Sequence, residues 1–149
     1  MKISLLILTC GLASAQTNLL TVTPPSKLHA KKGQSLTATV HAQLRPGYHC
    51  NSNTPSDAYL IPLKLIWNAD PLQVGKVTYP KPQLEKYSFS EKPISVFSGD
   101  FDITTEFSVP AKSPNGPAII SGKLRYQACN NTMCFPPKTI EVPLSVEIQ

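Results

Sequence analysis

Apolar and polar residues alternate one for one along three long runs of this chain. Leu36, Ala38, Val40, Ala42 and Leu44 alternate with Thr37, Thr39, His41 and Gln43. Phe101, Ile103, Thr105, Phe107 and Val109 keep the same beat. So do Ile140, Val142, Leu144, Val146 and Ile148, against Thr139, Glu141, Pro143, Ser145 and Glu147. A period of two places every second side chain on one face of an extended strand, so each run predicts a strand with one buried face. Leu124, Tyr126 and Ala128 carry the pattern into a strand that ends at Cys129, and shorter strands are predicted at 63–67 and 74–79. No window sustains the 3.6-residue period of a helix, and fifteen prolines oppose one. Short strands separated by Pro and Gly turns predict an all-β sandwich in one domain. Pro62 and Pro143 fall within strand-like runs, which places those strands at sheet edges or at bulges.

The first residues read differently. Lys2 precedes an apolar run from Ile3 to Leu12, and Ala13-Ser14-Ala15 supplies a small-x-small pattern. This is the layout of a secretory signal peptide, residues 1–15, with cleavage expected after Ala15 and a domain over residues 16–149. Cys10 raises lipidation as an alternative, although Thr9 stands where a small residue is usual. No other apolar stretch approaches membrane-spanning length, so no span is expected in the mature chain. Without Lys2 there are 13 basic and 9 acidic residues, a net charge of +4, and Lys31-Lys32 is the only adjacent basic pair. Scattered charge of that size describes a solvated surface and excludes a nucleic-acid stripe.

Segment 80–100, "PKPQLEKYSFSEKPISVFSGD", breaks the pattern. It is polar and rich in turns, yet it carries Tyr87, Phe89 and Phe97. Aromatics in such a stretch must pack on something. The plain reading is a loop folded over one end of the sandwich; the sharper one is a lid over a reactive site.

Three cysteines remain after cleavage: Cys50, Cys129 and Cys134. An exported chain meets an oxidising compartment where disulfides persist, and an odd count leaves one thiol over. In "YQACNNTMCFPP", Cys129 ends a strand and Cys134 precedes the Phe135-Pro136-Pro137 return, so the two should flank a hairpin tip. Three chemistries suit that spacing. A permanent staple is one, although closing so short a loop restricts the unfolded chain by only roughly 2 kcal/mol. A copper(I) clip with Met133 is another, but two thiolates are too few for a closed zinc site, and His29, His41 and His49 are distant in sequence. The third is a redox dithiol: one thiolate attacks a partner's sulfur and the second thiol resolves the mixed disulfide. Spacing alone leaves all three open.

A resemblance weighs on the choice. "YQACNNTMCFPPKTIEVPLSVEI" resembles the end of the N-terminal periplasmic domain of the DsbD thiol:disulfide interchange family, with its Tyr-Gln-(Gly/Ala)-Cys…Cys-(aromatic or aliphatic)-Pro-Pro signature. "PGYHCNSNTPSDAYLIPLKL" is similar to the family's Gly-(aromatic)-His-x-Asn-Ser-x-x-Pro segment, and "VFSGDFDITTEFSVP" to its cap-loop segment. The three lie in order across residues 20–148. The resemblance implies an immunoglobulin-like β-sandwich with the cysteines at one end. It also implies that electrons pass from a thioredoxin-like donor to oxidised thioredoxin-like partners, both in trans, with no cofactor and no metal. By motif, Cys134 would attack and Cys129 would resolve. Phe97 would be the cap aromatic that controls access, and Tyr126 would pack beneath the site. The family protein continues into a membrane electron-transfer domain and a thioredoxin-like domain, whereas this chain stops at Gln149, so a separate donor and a monomeric domain are expected.

Other residues have plainer roles. Cys50 stands where the family has an aliphatic, and is expected to be a small buried hydrophobe. His49 and Cys50, adjacent on a strand, should face opposite ways and cannot form a nucleophile pair. Asn51 and Ser52 are expected to make turn hydrogen bonds, and Trp67 to sit in the core. No Ser-His-Asp pattern, phosphate loop or carboxylate pair stands out. The main competing reading is a non-catalytic secreted sandwich with a permanent staple.

Overall fold

The computed structural model describes residues 18–149. The expected signal peptide, its cleavage site and Cys10 lie outside the described residues. Those described form strands and turns with no helix, and none that could cross a membrane as one.

Two four-stranded sheets form the body. The first orders β1 (Leu20–Thr23), β3 (Ser35–Leu44), β9 (Asp100–Ser108) and β6 (Gln73–Thr78) side by side. The second orders β2 (Leu28–Ala30), β12 (Lys138–Ile148), β10 (Gly116–Tyr126) and β5 (Lys64–Asn68). The alternating residues meet between them: Val40, Ile103 and Phe107 from one sheet, Leu124, Val142 and Leu144 from the other, all buried. Trp67 on β5 crosses the interface. Its Nε1 donates to Thr105 Oγ1 at 3.0 Å, and its ring meets Phe107 edge-on at 5.3 Å. That bond explains a threonine at an inward position of β9, since a buried polar group needs a partner. The molecule is thus the all-β immunoglobulin-like sandwich that the alternation and resemblance predict.

The two prolines behave differently. Pro143 pairs with Ser121 in an unbroken register between β10 and β12. Among the described residues β12 is paired on its other side only at Val146–Ile148, so Pro143 lies along a free edge and costs no ladder bond. Pro62 is not in a strand; it precedes edge strand β5.

A third sheet closes one end: β11 (Ala128–Cys129), β4 (His49–Asn51), β8 (Ile94–Ser98) and β7 (Gln83–Glu85). It grows out of the body. β8 runs into β9 through Gly99, whose φ of +64° suits glycine, and β10 runs into β11 across Gln127. The alternation did not reveal β7 or β8, because a three-residue strand has no period and β8 is buried on both faces.

Candidate functional site

Cys129 and Cys134 are direct partners of an antiparallel bridge at the tip that follows β11. Phe135 N donates to Ala128 O at 2.8 Å on one side of the pair, and Asn130 N to Met133 O at 2.9 Å on the other. Neither cysteine bonds the other's backbone, and at such a position side chains approach most closely. The two sulfurs form a disulfide, with the Cα atoms 3.9 Å apart. Asn130 holds the tip, its Oδ1 accepting from Thr132 N, Thr132 Oγ1 and Met133 N. An asparagine that caps its own turn explains why four residues suffice for the loop.

The two sulfur residues are not equivalent. Cys129 is fully buried, whereas Cys134 is partly exposed. Cys134 opens on a shallow cleft of about 190 Å³ lined by Tyr59, Leu60, Phe89, Gln127 and Met133. Tyr59 and Met133 are 69% and 52% exposed, an unusual amount of apolar surface beside a sulfur. Below, Gln127 Nε2 donates to Phe135 O, and its Oε1 accepts from Asn51 Nδ2 at 3.1 Å, which ties the return strand to β4. Asn51 therefore makes long-range bonds, to Gln127 and to Ile61 O, rather than the expected turn bonds. Ser52 Oγ does accept from Thr54 N, a turn bond, and also bonds Ser95 Oγ.

Phe97 does not cover the pair. Cross-strand partners share a face of a sheet, and neighbours along a strand alternate. Cys50 is the partner of both Phe97 and Ala128, so these three point into the main core. There Phe97 is 4% exposed and stacks on Phe101 at 5.0 Å. Cys129 is the partner of His49, and His49 of Ser98, so these point the opposite way. Phe97 is thus separated from the sulfurs by the sheet itself. Tyr126, also buried, lies in the main core at the end of β10.

The aromatics on the sulfur side are Tyr87 and Phe89. Tyr87 stacks on His49 at 3.9 Å, and Phe89 lies parallel to Tyr87 at 5.5 Å. Together with Leu60, Ile94 and Val96 they form a small apolar cluster separate from the main core. Ser88 Oγ donates to Asn131 O at 2.9 Å, joining this segment to the disulfide loop. The sequence flagged Tyr87 and Phe89 as aromatics in need of a surface; which of the segment's aromatics turned toward the sulfurs depended on the register of β8. His49 was missed as a neighbour of Cys129, since nothing local pairs β4 with β11.

Burial sets the local charge. His49 is 2% exposed, and burial lowers its pKa to about 4, so the ring is neutral. Cys50 is buried and its thiol is pushed up to about 12 by burial, a small hydrophobe as expected. Among the described residues no three metal-ligating side chains cluster.

A sandwich that carries a hairpin-tip disulfide, with one sulfur residue within reach of solvent and the other sealed, defines an immunoglobulin-like domain of the thiol–disulfide class. The chain belongs to the family described as thiol:disulfide interchange protein DsbD, N-terminal, whose model matches residues 16–145. Thiol:disulfide interchange protein DsbD of Haemophilus ducreyi is 27% identical over 113 residues, which cover 74% of this chain and 16% of that protein. This chain thus spans a small part of the curated relative it matches. The crystal structure of the N-terminal periplasmic domain of ScsB from Proteus mirabilis shares the fold, with a TM-score of 0.55 at 14% identity over 84% of this chain and 44% of that one.

Proposed function

We propose that this chain, exported and cleaved after Ala15, is a periplasmic domain that relays electrons by thiol–disulfide exchange with thioredoxin-like proteins. The observation that carries this is the asymmetry of the pair. Cys134 borders an open apolar cleft, whereas Cys129 has no exposed surface. A partner's sulfur can reach only Cys134, which makes it the attacking thiol. Cys129, directly across the bridge, is placed to resolve the mixed disulfide without leaving the fold. Tyr87 and Phe89, rather than Phe97, form the cover that moves aside when a partner docks, and the exposed Tyr59 and Met133 offer it an apolar landing surface.

The test is to remove the resolver. In Cys129→Ser, Cys134 should hold a thioredoxin-like partner as a stable mixed disulfide, seen as a covalent adduct on a non-reducing gel. An intact fold that traps nothing would sink the relay, and so would a reduction potential below about −300 mV, where permanent structural bonds lie.

A further inference from the structure

His49 is a buried titratable side chain that the exchange reaction as described leaves unused. It is 2% exposed, stands directly across the ladder from Cys129, and lies beneath the Tyr87 ring. Its Nε2 is buried and meets no hydrogen-bond partner. A buried nitrogen without a partner is uncommon enough to need a reason. The oxidation state of its neighbour supplies one: in the disulfide, Cys129 has no proton to offer. Once reduced, Cys129 is a thiol on the same face, in the directly opposed position where side chains meet. With the ring proton on Nδ1, the Nε2 lone pair accepts from that S–H.

We infer that His49 takes the Cys129 proton when that thiol resolves the mixed disulfide on Cys134. The inference rests on the exchange reading above. Cys134 thiolate first attacks a partner disulfide, and the partner's other sulfur leaves as a thiolate. The Cys129 proton then passes to His49 Nε2 as the Cys129 sulfur bonds to Cys134 Sγ. The bond from Cys134 to the partner breaks, and its electron pair leaves on the partner's sulfur. That thiolate takes the proton back from the imidazolium. The domain's two sulfurs give up two electrons and become the disulfide; the partner's disulfide takes them, one sulfur ending as the thiol protonated from His49 and the other, the first to leave, taking from water the proton that Cys134 gave up on ionising.

The groups facing His49 are Cys129 on β11, Ser98 on β8, and Tyr87 and Phe89 in the covering segment. Of these only Cys129 and Tyr87 titrate, and the Tyr87 hydroxyl is pushed up to about 12, by burial and then by Glu85. Burial alone depresses His49. Under a closed cover the ring is a poor base, which suits a resting disulfide. When Tyr87 and Phe89 move off to admit a partner, water returns and the ring recovers the basicity of an ordinary histidine.

Glutathione disulfide serves as the probe. Reduced wild type, His49→Asn and His49→Phe are mixed with it, and rapid quenching with mass spectrometry follows the adduct on Cys134 as it forms and decays. His49→Phe keeps a flat ring under Tyr87 and carries the test should His49→Asn fail to fold. Adduct formation should match wild type in His49→Phe, which keeps a ring under Tyr87, and should rise severalfold in His49→Asn, which loses that stack. Decay at pH 7 should slow by about tenfold or more, and the gap should close above about pH 9, where a thiol ionises unaided. A gap that stays constant with pH, or a wild-type decay rate in His49→Phe, overturns the proton role while leaving the relay intact. Absence of any adduct on wild type and on Cys129→Ser overturns the relay and this inference with it.

Discussion

Strands β3, β9, β10 and β12 of the body alternate between buried and exposed residues, whereas β4 and most of β8 are buried on both sides. In the body, each sheet's inner face is covered by the other sheet. At the site end the inner face joins the same core, through Cys50, Phe97 and Ala128. The outer face, with His49, Asn51, Val96 and Cys129, is covered largely by chain that is not strand: Leu60 from one loop, Tyr87 and Phe89 from another. The body is therefore held by long ladders and a continuous core, and the cover by a small separate cluster and the Ser88–Asn131 bond. A cluster of that size can detach without opening the main core.

Three substitutions and one change of condition test this division. Phe97→Ala should behave as a body mutation and cost about 3–5 kcal/mol in a denaturant titration, as core aromatics do. The rate at which dithiothreitol reduces the disulfide in molecules that remain folded should be nearly unchanged. A large rise in that rate would return Phe97 to the cover. Acid comes next. The folded pKa of His49, about 4, lies below its ordinary 6.5, so the unfolded chain binds the proton first. Stability should therefore be fully present above about pH 6.5 and fall as pH drops toward 4. In His49→Phe that part of the slope in Tm against pH should disappear, and an identical slope would mean that the ring is not buried neutral.

Phe89→Ala should do the reverse of Phe97→Ala. Losing one aromatic stack, worth about 1 kcal/mol, raises the open population and hence the dithiothreitol rate by roughly fivefold. The main core should keep its stability, and a slower reaction would show that Phe89 assists access rather than restricting it. Ser88→Ala removes one exposed hydrogen bond between cover and loop. It should raise the same rate by about twofold, at the weak end for such bonds, and no change would assign the cover's position to stacking alone.

The sandwich was legible because its strands are long and one-sided: the alternating runs that became β3, β9 and β12 leave no other period to fit. The cysteine hairpin was legible from two cysteines between a strand and a Pro-Pro return. The cap role fell to Phe97 through the resemblance to the family's segment, which carries no information on how β8 aligns with β4 here, and order along the chain does not distinguish Phe97 from Phe89. His49 was correctly set on the opposite face from Cys50, yet its pairing with Cys129 joins residues eighty positions apart, and no local pattern encodes such a register.

Inward-turning residues, chain reversals and the sharing of one turn by two thiols can all be read along the chain, since each follows from chemistry within a few bonds of the residue concerned. Which sulfur residue is sealed, which aromatics shelter it and which histidine stands beside it are set by the packed fold. Those relations depend on how β4, β8 and β11 align across the sheet, and a shift of one residue in that alignment would turn each side chain to the other face.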